Sequence, residues 1–159
     1  MYTIFTTGIF LSLFNTQYKS GDNIWRNTRY NKNYVFNALM GKEFFFKNNK
    51  KILDINARVT FTGRERYTPF FELNSIANER IILDEKNALS NSYPDTFYVD
   101  LTLNYRINHH KSSSVFSFQM KNIFAAPIYQ GYNYNFQIKQ VEFTKSTLLI
   151  PNISYRIDF

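Results

Sequence analysis

Two adjacent histidines, His109 and His110, and the serines Ser112 to Ser114 are the residues that first invite a catalytic reading. Imidazoles side by side in a turn diverge, and the chain has no cysteine and no third ligand at a zinc-like spacing to complete a metal set. The serines lack the Gly-x-Ser-x-Gly turn that presents a nucleophile, and no glycine-rich loop is available to cradle a phosphate. Three carboxylates, Asp54, Asp100 and Asp158, alternate with apolar residues, as do the guanidinium groups of Arg58, Arg106 and Arg156. Charges set out in this way are expected to share one wet face of a sheet and pair across strands, rather than form an acid/base pair. The expectation is therefore a protein that is not an enzyme and holds no metal or cofactor. One segment does suggest ligand contact: within the long stretch Gly63 to Asp95, Arg64, Arg66, Tyr67, Phe70 and Phe71 combine guanidinium with aromatic faces.

The elements that must position these residues are legible as period-two alternation. Phe97, Val99, Leu101, Leu103, Tyr105 and Ile107 interleave with Tyr98, Asp100, Thr102, Asn104 and Arg106, and Leu53 to Gly63 repeats the design. Between Val115 and Phe124 the apolar side is Phe116, Phe118, Met120 and Phe124, facing Ser117, Gln119 and Lys121. Less regular strands are expected over Thr3 to Lys19 and over Tyr34 to Phe46, the latter broken at Gly41. A sixth runs from Glu142 to Phe159, where Ile153, Tyr155, Ile157 and Phe159 share one face and Asn152, Ser154, Arg156 and Asp158 the other. Helical spacing of Ile76, Arg80, Leu83 and Asn87 predicts a competing amphipathic helix over Ile76 to Leu89.

Connections alternate in length. Those near residues 46–52 and 108–114 are short, whereas Gln17 to Tyr30, Gly63 to Asp95 and Gln130 to Gln140 are long. Short turns at one end and long loops at the other are the pattern of an outer-membrane meander, which puts Phe159 on the periplasmic side.

Composition agrees with that class. The 159 residues include 17 Phe and 12 Tyr but only 5 Gly and 4 Pro, and aromatics favour strands and membrane-barrel girdles. The formal net charge is +7, yet its only dense group is Lys47, Lys50 and Lys51, expected to be a solvated turn, so no nucleic-acid partner is inferred. No run reaches the ~18 apolar residues of a membrane helix. The opening MYTIFTTGIFLSLF has no basic residue before its apolar run and no small-residue cleavage site after it, so a strand and no export signal are expected.

Five stretches, in order, resemble the C-terminal end of the barrel of TonB-dependent outer-membrane receptors of the Bacteroidetes type. They are SLFNTQYKSGDNIWRNTRYNKNYVFNALMGKEF, RERYTPF, YPDTFYVDLTLNYRIN, FQMKNIF and ISYRIDF, which together run from Ser12 to Phe159. The resemblance implies an all-β fold, an antiparallel up-and-down meander of about six strands forming a partial transmembrane β-barrel. It further implies a bacterial outer-membrane location, nutrient transport, and as partners the outer-membrane lipid, the remainder of the barrel with its plug, and the barrel-assembly machinery. Neither a plug nor an energy-coupling segment is visible, so the terminal portion of a receptor is expected, from a truncated gene, a split reading frame or a chain trimmed from a longer one. By the same resemblance, Ile153, Tyr155, Ile157 and Phe159 form the assembly signal, read by strand addition, and RYTP is a structural element near the barrel rim. Two other readings stay open. One is a small self-contained β-barrel that binds an apolar ligand, because alternation alone does not say which face is inside. The other is an outer-membrane enzyme, for which no converging His, Ser and carboxylate can be assembled.

Overall fold

A computed structural model describes residues 2–47 and 49–159. Along the chain the strands are β1 (Tyr2–Leu13), β2 (Gln17–Lys19), β3 (Trp25–Asn27), β4 (Tyr34–Phe46), β5 (Lys51–Thr62), β6 (Arg66–Tyr67), β7 (Asn91–Ser92), β8 (Thr96–Asn108), β9 (Ser113–Lys121), β10 (Ile128–Asn135), β11 (Gln140–Ser146) and β12 (Ile150–Asp158). One short helix, α1 (Glu72–Ala77), and a 3₁₀ turn over Glu85–Asn87 lie between β6 and β7. The protein is all-β.

Six strands form one antiparallel sheet in the order β1-β4-β5-β8-β9-β12, so β1 and β12 are its free edges. The short turns β4–β5 and β8–β9 lie at one end. All the longer connections lie at the other, where they form the small hairpins β2–β3, β6–β7 and β10–β11. Register carries the sequence alternation across the whole sheet. Phe36, Phe61 and Phe97 follow one another in register across successive strands, as do Met40, Ala57, Leu101 and Met120, and Phe44, Leu53, Tyr105, Phe116 and Tyr155. One face is thus mainly apolar, with Lys42 and Lys51 toward the short turns, and the other carries most of the Asn, Thr and Ser and the remaining charges of the sheet.

Several sequence expectations are corrected. The helix expected over Ile76 to Leu89 is only the six-residue α1, because Glu79 at φ 49° reverses the chain and the buried Ser75 hydroxyl accepts the Ile82 amide at 3.0 Å. The first strand stops at Leu13 rather than reaching Lys19; the Phe14 amide makes the last bond toward the facing strand, to the Asn33 carbonyl, before the chain enters the β2–β3 hairpin. Gly41 does not break β4; it is a close-approach site, where a Cβ would meet the side-chain oxygen of Asn56 on the facing strand. Phe124 lies outside β9, which ends at Lys121 before Asn122 takes a left-handed conformation at φ 53°. Glu142 to Phe159 is two strands in different sheets, and most of the expected loop Gln130 to Gln140 is strand β10 and its turn to β11.

Candidate functional site

The loop end holds a cluster of packed aromatic rings. Tyr67 of β6, Phe70, Tyr93, Tyr129 and Tyr132 of β10 and Phe143 of β11 form one aromatic cluster. Ring centroids lie 4.6 Å apart for Tyr67 and Tyr93, 5.0 Å for Phe70 and Tyr132, and 5.5 Å for Tyr67 and Phe143. Several of these contacts are edge-on, the geometry favoured by the ring quadrupole. The Tyr132 hydroxyl donates to the Thr68 carbonyl at 2.8 Å, tying the β10–β11 hairpin to the β5–β8 connection. Burial pushes the phenols of Tyr93 and Tyr132 above their ordinary range, because a phenolate there would lose its hydration. Among the described residues Tyr93 and Val115 are the buried apolar side chains, so this cluster stands in for a core.

A second hub is polar. Asn31 is fully buried; its amide donates to Asn15 at 2.7 Å and Asn27 at 2.8 Å while its carbonyl oxygen accepts the Thr16 amide at 3.1 Å. At the tip of the same hairpin Arg26 grips Asp22 with two hydrogen bonds of 2.8 and 2.7 Å, and this holds the Asp22 carboxyl down at about 2.

The residues proposed for ligand contact are largely engaged within this framework. Arg64 pairs with Asp95 at 3.3 Å. Arg66 donates to the Asn31 carbonyl and, at 3.0 Å, to the Asn33 side chain, so it braces the β1–β4 connection. Tyr67 and Phe70 belong to the aromatic cluster, and only Phe71 presents an exposed ring. An open cleft of about 660 Å³ is lined by Tyr67, Tyr93, Tyr129, Phe143, Glu142 and Lys145, so any contact would run through β11 residues that sequence reasoning had not singled out.

A cavity of about 690 Å³ opens on the apolar face of the large sheet, lined by Leu53, Leu103, Phe116, Phe118 and Ile153, and the polar face is hollowed as well. Thr60, Thr62 and Val115 are buried there, and cavities of about 460 and 580 Å³ run across it from β1 to β9 and from β4 to β12. Arg58 and Asp100 face each other directly in register and form an ion pair, with Arg58 Nε donating at 3.0 Å. Arg156 pairs with Asp158 along β12 at 2.9 Å rather than across strands. Asp54 accepts the amides of Asn56 at 2.7 Å and Asn104 at 2.9 Å. Cross-strand ionic pairing therefore holds for one of the three carboxylates, while amides and a same-strand arginine satisfy the others. His109 and His110 are exposed in the β8–β9 turn.

The residues assigned to an assembly signal share the apolar face of the free edge. Ile153 is 80% and Phe159 100% exposed; Tyr155 packs on Phe116 at 4.6 Å, and Ile157 is exposed beside it. Every residue of β12 is exposed, and the strand bonds to β9 on one side only. No family model, no curated protein and no solved structure matches this chain.

Proposed function

We propose that this chain is a section of the wall of a bacterial outer-membrane β-barrel of the TonB-dependent receptor type, a transporter for nutrient uptake. The observation that carries the reading is the polarity split of the six-stranded sheet, with a mainly polar face backed by a mainly apolar one. A water-filled lumen and a lipid surround require that arrangement. The apolar face is also zoned. A row containing Phe36, Phe61 and Phe97 lies toward the loops, a row containing Phe44, Tyr105, Phe116 and Tyr155 toward the short turns, and between them are Ala38, Met40, Ala57, Val59, Leu101 and Leu103, together with Phe118 and Lys42. Eight residues separate Phe36 from Phe44 and Phe97 from Tyr105, about 26 Å along the strand and about 20 Å once a barrel tilt is applied. Aromatic girdles flank an apolar band of roughly this height in outer-membrane barrels.

Surface area supports the same conclusion. A water-soluble monomer of 19.0 kDa exposes about 8,400 Å², whereas this chain exposes 11006 Å², about 2,600 Å² more. The excess includes Ile9, Leu11, Leu13, Met40, Phe97, Phe116 and Ile153 on the apolar face. Lipid is the solvent that removes the cost of that exposure. The free edges of β1 and β12 are where further strands would join, and the β12 edge, with Ile153, Tyr155, Ile157 and Phe159 beside it, is the surface the assembly machinery would read by strand addition.

A paired tryptophan experiment tests the reading. In a Trp25→Phe background, Phe118→Trp and Ser117→Trp place one reporter on the apolar face and one on the polar face. After refolding into vesicles of acyl-brominated phosphatidylcholine, the first should be strongly quenched and the second little. Equal quenching, or the reverse order, would overturn the assignment of faces.

A further inference from the structure

The net charge of +7 is not spread over the molecule. At the loop end, including its small hairpins, ten Lys and Arg face eight Asp and Glu, and the polar face of the sheet carries four of each sign. The remaining five cations are Lys42, Lys47, Lys50, Lys51 and Lys111, all at the short-turn end, where neither turn contains a carboxylate. The sequence brings together only three of them. The sheet adds the others, because β5 and β8 are neighbours and their turns are bonded to each other. The Asn108 amide donates to the Lys50 carbonyl, and the Asn108 side chain to the Asn49 carbonyl, each at 2.8 Å.

Their placement is amphipathic. By strand alternation Lys42 and Lys51 stand on the apolar face, in line with Phe44 and Leu53. The Lys42 ammonium lies over the Phe44 ring, 5.0 Å from its centroid, so the side chain runs along the apolar surface toward the short-turn end. This is the snorkelling posture of a lysine whose stem is in hydrocarbon and whose charge is at the headgroup level. Lys47, Lys50 and Lys111 are exposed in the turns just beyond. The carboxylates at this end of the sheet, Glu43, Asp54 and Asp158, lie on the opposite, polar face. A basic rim thus borders the apolar face beside its lower aromatic row.

We propose that this rim docks the anionic headgroups of the phospholipid leaflet facing the short turns, with Lys42 and Lys51 reaching the phosphates from the hydrocarbon side and Lys47, Lys50 and Lys111 from the water side. The inference rests on the membrane reading above and adds a lipid class to it. Clustered lysines at an anionic surface gain about fivefold in partitioning each, an advantage that salt screens.

The full chain should be mixed with vesicles of phosphatidylcholine alone and of phosphatidylcholine with phosphatidylglycerol, and binding read by flotation. Wild type should favour the anionic vesicles at least tenfold at low ionic strength. A Lys47→Gln/Lys50→Gln/Lys51→Gln/Lys111→Gln variant should bind both alike, whereas Lys19→Gln/Arg80→Gln/Lys86→Gln/Lys139→Gln, which removes as much charge from the loop end, should keep the preference. All eight positions are at least partly exposed, and matching circular dichroism spectra establish that each variant folds as wild type does. Equal binding of wild type to both vesicles overturns the rim and leaves the membrane reading standing. Loss of preference in both variants also overturns it, since net charge alone would then explain the effect. Failure to bind either vesicle removes the membrane reading and the rim with it.

Discussion

Asp100→Ala tests how the wall is fastened to the loops. One carboxylate oxygen of Asp100 pairs with Arg58, and the other accepts the backbone amide of Asn122 at 3.0 Å. Asn122 is itself buried, donating to the carbonyls of Ala126 at 3.0 Å and Leu148 at 3.2 Å and accepting the Ala126 amide at 2.9 Å. Asp100 therefore anchors the point where β9 ends and the chain leaves for the β10–β11 hairpin. The Arg58 side chain is 47% exposed, so the ion pair contributes at most about 1 kcal/mol. The bond from the Asn122 amide to a charged acceptor contributes about 1.5–3 kcal/mol, because its loss strands a buried donor. Asp100→Ala should thus cost about 2–4 kcal/mol, Asp100→Asn, which retains an acceptor, about 1–2, and Arg58→Ala no more than about 1. Urea unfolding from detergent micelles, followed by circular dichroism, measures these differences. Hydrogen exchange at the Asn122 amide localises them. If Arg58→Ala costs as much as Asp100→Ala, or if exchange at Asn122 is unchanged in Asp100→Ala, the carboxylate is not the anchor and the reasoning fails.

Three further outcomes are expected. Gly63→Ala should destabilise by about 1–3 kcal/mol in the same unfolding assay, because a Cβ there collides with the Lys32 backbone carbonyl and lies 3.1 Å from the Tyr34 ring; a neutral result would show that the β1–β4 connection can move aside. Asp22 titrates at about 2 against an ordinary 3.8, so its clamp on Arg26 is fully present above the higher value and is lost as pH falls through the lower one. Carbon-detected NMR should find that midpoint and find it moved up toward 3.8 by Arg26→Gln. Tyr132→Phe should cost about 0.5–1.5 kcal/mol through the lost bond to Thr68, and ultraviolet titration should lose one phenol that ionises above the ordinary range; an unchanged titration would place Tyr132 in water.

The long strands were legible because a sheet with two unlike faces demands strict alternation, and Phe97 to Ile107 or Leu53 to Phe61 can satisfy it in only one way. Alternating loop length gave the two ends of the sheet for the same reason. What escaped was fixed by contacts distant in sequence. The hairpin β10–β11 reads as loop because its Gly, Asn and Gln content is turn-like, and only the packing of Tyr132 and Phe143 on Tyr67 makes it a strand pair. Asn31 looks like any loop asparagine until its three partners are seen. Arg64 and Arg66 were read as free to meet a ligand, yet Asp95 and Asn33, about thirty residues away, already hold them. The lysine rim was half visible, as three lysines in one turn; pairing of β5 with β8 brings in Lys111, and pairing of β4 with β5 brings in Lys42.

The two ends of the molecule follow different physics, and this explains why so aromatic a chain has so small a core. At the loop end the rings face each other, polar groups such as Asn31 and Asn122 are saturated by hydrogen bonds, and order can be maintained in water. In the large sheet neighbouring strands pair over most of their length, yet much of the apolar face is exposed, and among the described residues β1 and β12 each leave one side unpaired. A sheet of this kind gains little from hydrophobic burial unless the solvent on its oily side is itself apolar. The Phe and Tyr residues are accordingly divided: Tyr67, Phe70, Tyr93, Tyr129, Tyr132 and Phe143 build a cluster at the loop end, and most of those of β4, β5, β8, β9 and β12 share the apolar face of the sheet. Composition counts both populations together, so the same 19% of aromatic residues suggests a single buried core although many of the rings lie on an exposed sheet face.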